Sequence, residues 1–237
     1  MIEDKIKVNI AGGLDFPLPK MSKVQQVFNS DKVDDIPKVI ADEFLKSEIA
    51  SCIQPGKKIA VGCGSRGIAN IAVIVKSTIQ ELKARGADPF IFPCMGSHGG
   101  ATAQGQRQVL EDFGITESAM GVEIKSSMDT VVVGSLPDET PVYMDSHAAD
   151  ADGIVVINRI KPHTSFRGRI ESGVTKMLSI GIGKIVGATT YHRQGMDKFP
   201  ELLPQVRDCN LNARNVLFGV GIIENAYDET SLIEVMP

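Results

Sequence analysis

No excess of positive charge marks this chain of 237 residues, whose formal net charge is −4. A dedicated nucleic-acid binder needs a basic face, so that class is excluded. Long apolar runs are missing as well. The longest uncharged one, GIANIAVIV, reaches about half of the ~20 residues a membrane-spanning helix needs. The charged start, MIEDK, has no apolar segment behind it of the kind a secretion leader carries. Cys52, Cys63, Cys94 and Cys209 form no CxxC pair and show no metal-ligand spacing. They read as reduced thiols, which sets the expectation of a cytoplasmic protein without disulfides. Histidine is scarce, with four in the chain, and the HExxH spacing of zinc proteases is absent.

What is present is alternation. Hydrophobic residues at 43% and charged residues at 23% are ordinary for a globular protein, and the length suits one large domain over residues 1–237. Strands are expected at 6–10, 58–63, 89–94, 121–125, 130–135, 152–160 and near 214–223. Helical patterns cover 34–53, 68–86 and 101–114; in the second, Ile71, Ile74, Ile79 and Leu82 recur at helical spacing and Gly86 stops the run. Strands alternating with helices of this length imply βαβ units: an α/β fold with a mostly parallel, Rossmann-like sheet and helices on both faces. The ending SLIEVMP reads as one more apolar strand without a polar cap, as if the chain were cut there.

In such sheets ligands sit beyond the carboxyl ends of the strands. Three expected strands end in unusual loops: GCGSRG with Arg66, MGSHGGAT with His98, and KPHTSFRGRIESG with His163. The first loop spells Gly62-x-Gly64-x-x-Gly67, the dinucleotide fingerprint. A dinucleotide site also needs an acid at the end of the following strand to bind ribose, whereas that strand runs into Met95-Gly96-Ser97-His98 and Asp88 lies at its opposite end. Backbone amides at a helix start still favour an anion, and Arg66 adds a fork for carboxylate or phosphate. The loop therefore reads as an anion site more than an NAD site. His147, in the polar run DSHAADAD, reads as an ordinary polar residue.

From Arg159 to Lys176 the chain sets Arg159, Lys161, Arg167, Arg169 and Lys176 against Glu171 alone, a local net of +4 in a chain of −4. That is a field suited to an anion. The apolar, glycine-rich MLSIGIG follows at once.

Taken in order, Arg66, GSHGGAT with His98, KPH with His163, SGVTKMLSIGIGK with Lys176, and YHRQG with His192 resemble the nickel-pincer-nucleotide-dependent lactate racemase family, over its N-terminal domain. The resemblance implies a racemase or epimerase of a small 2-hydroxy acid. Its cofactor would be a pyridinium mononucleotide bearing a thioamide and a thiocarboxylate that hold nickel. It further implies that Lys176 tethers the cofactor, that Gly64 and Ser65 bind it, and that His192 ligates nickel. His98 and His163 would exchange the hydroxyl proton as acid and base, and Arg66 would bind the substrate carboxylate. Cofactor-synthesis enzymes are implied as partners, as is a C-terminal domain beyond this chain; a homo-oligomer is also compatible. This sequence departs from the family in carrying Cys63 three residues before Arg66, where an acid is common, and in a longer interval from His163 to Lys176.

The chemistry suits the residues. Removing a hydride from carbon while a base takes the hydroxyl proton gives a stable 2-keto acid, and a histidine titrates in the range where it can return that proton. Two other readings stand beside this one: a zinc hydrolase on His98, His163 and His192, and a non-catalytic binding domain for a phosphorylated metabolite. Lys176 and His192 lie 16 residues apart. On one unbroken helix they would stand roughly 160° apart around the axis. A shared site predicts a break at Gly181, Gly183 and Gly187; Arg167 and Arg169, where they lie close, would favour the neutral Lys176 that a covalent link needs.

Overall fold

The computed structural model describes residues 19–65 and 67–237. The expected strand at 6–10 and the Arg66 side chain lie outside them. Helix α1 (Ile36–Phe44) begins where the Asp35 carboxylate accepts the amide of Lys38 at 3.0 Å and Pro37 occupies the first turn. The helical pattern expected over 34–53 breaks after it, and α2 (Ser47–Ala50) is a separate short turn. Strand β1 (Lys58–Cys63), helix α3 (Ile71–Ala84) and strand β2 (Asp88–Pro93) follow as expected. A tight turn at Gly99–Ala101 leads into α4 (Ala103–Asp112), capped by Thr102 Oγ1, which accepts from Gly105 N at 3.0 Å. Then come α5 (Glu117–Met120), β3 (Thr130–Ser135), β4 (Pro141–Asp145), α6 (Ser146–Ala149) and β5 (Gly153–Arg159). The chain continues through α7 (Val174–Lys176), α8 (Lys184–His192), α9 (Phe199–Ala213), β6 (Val216–Glu224) and β7 (Thr230–Met236).

The main sheet has the order β2-β1-β5-β6-β7. All neighbours are parallel except β7, which returns antiparallel on β6. Its central strands are buried on both faces, as continuous apolar runs such as KIAVGC and GIVVI require. On one face Ile59, Val61, Ile91, Val155 and Ile157 pack with α1 and α3 through Ile40, Phe44, Ile74 and Leu82. On the other, Ala60, Phe90, Phe92, Ile154 and Val156 meet Met177, Leu178 and Ile182. Each fully buried side chain of this size contributes about 1.5–3 kcal/mol.

Two expected strands stand differently. Residues 121–125 make a single parallel bridge, Ile91 to Ile124, through the Glu123 carbonyl and the Lys125 amide, while the Ile124 amide donates to the Glu117 carboxylate at 3.0 Å. Residues 130–135 do form a strand, but it turns back through Leu136–Thr140 and pairs antiparallel with β4 in a separate two-stranded sheet. That hairpin rests on α8 and α9, with Val142, Tyr191, Phe199, Leu203 and Val206 at the contact.

Candidate active site

In sheet order, β2, β1 and β5 are adjacent, so the three loops at their carboxyl ends lie side by side. The chain runs from β1 to β2 on one side and later returns to β5 on the other, which makes the gap between β1 and β5 the place where a ligand crevice forms. A cavity of about 360 Å³ opens there, and Gly64, Ser65, His98, His163, Lys176 and His192 all line it. Six positions singled out in the sequence thus share one cavity. His147 is absent from its lining.

The β2 loop lies flat on the start of α4. A Cβ on Gly105 would stand 1.9 Å from the Gly99 carbonyl oxygen, so only glycine permits this approach. The same loop is bonded to the segment after α7 through Gly96 N and the Gly181 carbonyl at 3.0 Å. His98 is held at Nδ1 by the Ser65 hydroxyl, which joins the β1 and β2 loops.

The β5 loop is closed by its own lone acid. Glu171 accepts from the backbone amide of His163 at 2.7 Å and from that of Gly168 at 3.1 Å. These bonds, the one from His163 foremost, hold its carboxyl below the usual value. Arg167 donates to the carbonyls of His163 and Phe166 and, like Arg169, takes no part in lining the cavity. Arg167 thereby helps to close the loop.

His163 Nδ1 accepts the backbone N–H of Ser165 at 3.2 Å, so the neutral ring carries its proton on Nε2. That nitrogen lies 3.1 Å from Lys176 Nζ. The His163 ring stacks on Phe166 at 4.3 Å between centroids. Phe166 meets Phe199 at 5.7 Å, and Phe199 meets His192 at 4.9 Å. Two phenylalanines thus span the distance between the two histidines. His192 itself donates from Nδ1 to the Ala188 carbonyl at 2.6 Å, which leaves a lone pair on Nε2.

The break between Lys176 and His192 is present. A wide turn at Met177–Gly181 follows α7, and α8 begins anew at Lys184. The left-handed residue is Lys184, with φ 51°, rather than a glycine. Gly187 lies inside α8, where a Cβ would come within 3.3 Å of the Tyr191 ring, so its smallness serves packing.

Residues absent from the expected set also line the cavity: Asn158, Arg159, Lys161 and Cys94 among them. Arg159 is anchored by an ion pair to Glu224, whose other oxygen accepts from Ala69 N at 2.7 Å. The basic run pointed towards Arg159 and Lys161; nothing in the sequence marked Asn158 or Glu224. Burial pushes the Cys63 thiol up to about 12 and Cys94 higher still, so both stay protonated and bring no charge. Among the described residues no three His, Cys, Asp or Glu side chains are grouped to hold a metal ion.

The fold is an α/β domain with a cavity at the carboxyl ends of its parallel strands. A family model described as the lactate racemase N-terminal domain matches residues 9–200. The chain belongs to that family. No curated protein matches it. Among solved structures it is similar to the lactate racemase apoprotein from Thermoanaerobacterium thermosaccharolyticum, with a TM-score of 0.68 and 14% identity. That likeness covers 93% of this chain and 56% of the other, so this chain spans little more than half the length of that protein. Among the described residues no helix is long and apolar enough to cross a membrane.

Proposed function

We propose that the cavity is the cofactor and substrate site of a 2-hydroxy acid racemase or epimerase. The observation that carries this reading is the convergence of His98, His163, Lys176 and His192 on one cavity from the β2 loop, the β5 loop, α7 and α8. We propose also that the chain is a single α/β domain corresponding to the N-terminal part of a longer enzyme.

The donor set fits the nickel-pincer nucleotide. Nickel accepts a neutral imidazole nitrogen, and the His192 bond to Ala188 makes Nε2 that nitrogen. Lysine must be neutral to form a covalent tether. When bound, the cofactor supplies the hydride acceptor.

The chain's own residues handle charge and proton. One histidine takes the hydroxyl proton as hydride leaves the same carbon, giving a planar 2-keto acid. The other returns a proton to oxygen when hydride comes back to the opposite face. His98 and His163 sit on the β2 and β5 loops, with the β1 loop between them, so a substrate lying over the β1 loop has a histidine on either side. Arg66, on that middle loop, is proposed to bind the carboxylate. Arg159 and Lys161 add positive charge to the lining, which raises the local concentration of an anionic substrate.

The test is racemisation of one enantiomer deuterated at carbon 2, using protein produced with the cofactor-synthesis enzymes. Hydride return keeps deuterium in the product. Racemised product that has lost its label to solvent overturns the hydride mechanism, and no racemisation of any small 2-hydroxy acid overturns the function.

A further inference from the structure

Lys184 is fully buried and has no part in the chemistry just proposed. A lysine is rarely hidden so completely unless it is paired. Its Nζ donates to the Pro93 carbonyl at the end of β2, at 2.5 Å, and to Gln106 Oε1 on α4, at 3.1 Å. It also stands 3.0 Å from the equally buried Asp145 carboxylate at the end of β4. The backbone at Lys184 is left-handed, a region that residues with side chains seldom occupy. Three elements are thus joined by one ammonium at a strained position that starts α8.

The contact with Gln106 has a directional consequence. With Oε1 engaged by a cation, the amide of Gln106 can present only its NH₂ group on the other side. That group donates to the carbonyls of Gly96, at 2.8 Å, and His98, at 3.2 Å. A flipped amide would set oxygen against both carbonyls, and the buried ammonium forbids the flip. Gln106 is itself fully buried, so water offers no substitute.

We propose that Lys184 and Gln106 are positioning residues for His98: the buried ammonium fixes the orientation of the Gln106 amide, and that amide clamps the Gly96–His98 loop over the cavity. Because Lys184 also begins the helix that ends in His192, one cation sets the proton-carrier loop and the metal-ligand helix in register. The inference deepens the reading of His98 as a proton carrier and rests on it for its catalytic meaning; the clamp itself is tested without cofactor.

The experiment compares Gln106→Glu and Gln106→Leu with the parent, using the whole 237-residue chain. Gln106→Glu keeps the volume and pairs with Lys184, but has no N–H to give the loop carbonyls. Amide exchange at Ser97, His98 and Gly99 should rise at least tenfold in both variants. The His98 ring resonances should move, while those of His163 and His192 and the far-UV spectrum stay put. A third variant, Lys184→Met with Asp145→Asn, removes both buried charges together and should free the same three amides. Parent-like exchange and His98 resonances in Gln106→Glu overturn the clamp. Should His98→Ala instead racemise normally, the role of His98 fails while the exchange result still reports on the clamp.

Discussion

His163 Nε2 lies 3.1 Å from Lys176 Nζ across thirteen positions of sequence, one on the loop after β5 and the other at the end of α7. The β5 loop folds back on itself to make this contact, held by Glu171 and by the Ser172 hydroxyl, to which Lys161 N donates at 2.7 Å. The residue proposed to carry a proton and the residue proposed to hold the cofactor are therefore neighbours.

Replacing either proton carrier should separate chemistry from loading. His98→Ala and His163→Ala are each expected to lower racemisation by about 10²- to 10⁴-fold while nickel content stays near that of the parent. Chiral chromatography and metal analysis on the same samples check this. Normal turnover in either variant removes that histidine from the acid–base pair.

Phe199 is buried between the rings of Phe166 and His192, so it should matter to both loops. Phe199→Ala is expected to cost about 3–5 kcal/mol of stability, as for other buried phenylalanines. Phe199→Leu should cost less and leave the fold intact, yet reduce nickel occupancy because His192 loses its edge contact. Urea melts with metal analysis decide it; full nickel in the leucine variant shows that the ring does not orient His192.

Acid should open the β5 loop first. The Glu171 carboxyl is held below its unfolded value of 4.5, chiefly by the His163 amide. A depressed value means that the clamp contributes fully above the unfolded value and is lost as pH falls through the folded one. Amide exchange at residues 163–168 should therefore accelerate below about pH 4.5, before the sheet opens. In Glu171→Gln that pH dependence should vanish. A loop that opens only with the whole domain contradicts the assignment.

Arg66→Lys should keep the charge but lose the two-point fork. The expected loss in kcat/KM is about 1.5–3 kcal/mol, or roughly 10- to 150-fold. Kinetics equal to the parent would show that Arg66 does not bind the carboxylate.

Much of this arrangement was legible in the residues. The periods of β1, α3 and β2 were plain, and the loops after β1, β2 and β5 carried their histidines, lysine and glycines in view. The misses have physical causes. PVYMD is five residues headed by proline, and it becomes a strand only because β3 folds onto it. Helix α9 carries Pro200 and Pro204, which disguise a fifteen-residue helix whose buried side is set by Phe199, Leu203 and Val206. The glycines predict the break before α8, yet the left-handed turn falls on Lys184, held there by partners on β2, β4 and α4. A lysine among glycines reads as a surface cation, and only tertiary contact reveals a buried one. Glu224 escaped for the same reason: its value lies in reaching Arg159 across the β5–β6 pair.

The most direct measurement is mass spectrometry and metal analysis of protein produced together with the cofactor-synthesis enzymes. The account predicts nickel, an adduct confined to the peptide that contains Lys176, and a marked loss of nickel in His192→Ala. An unmodified Lys176 in protein that racemises a 2-hydroxy acid normally, or full nickel retention without His192, would contradict it.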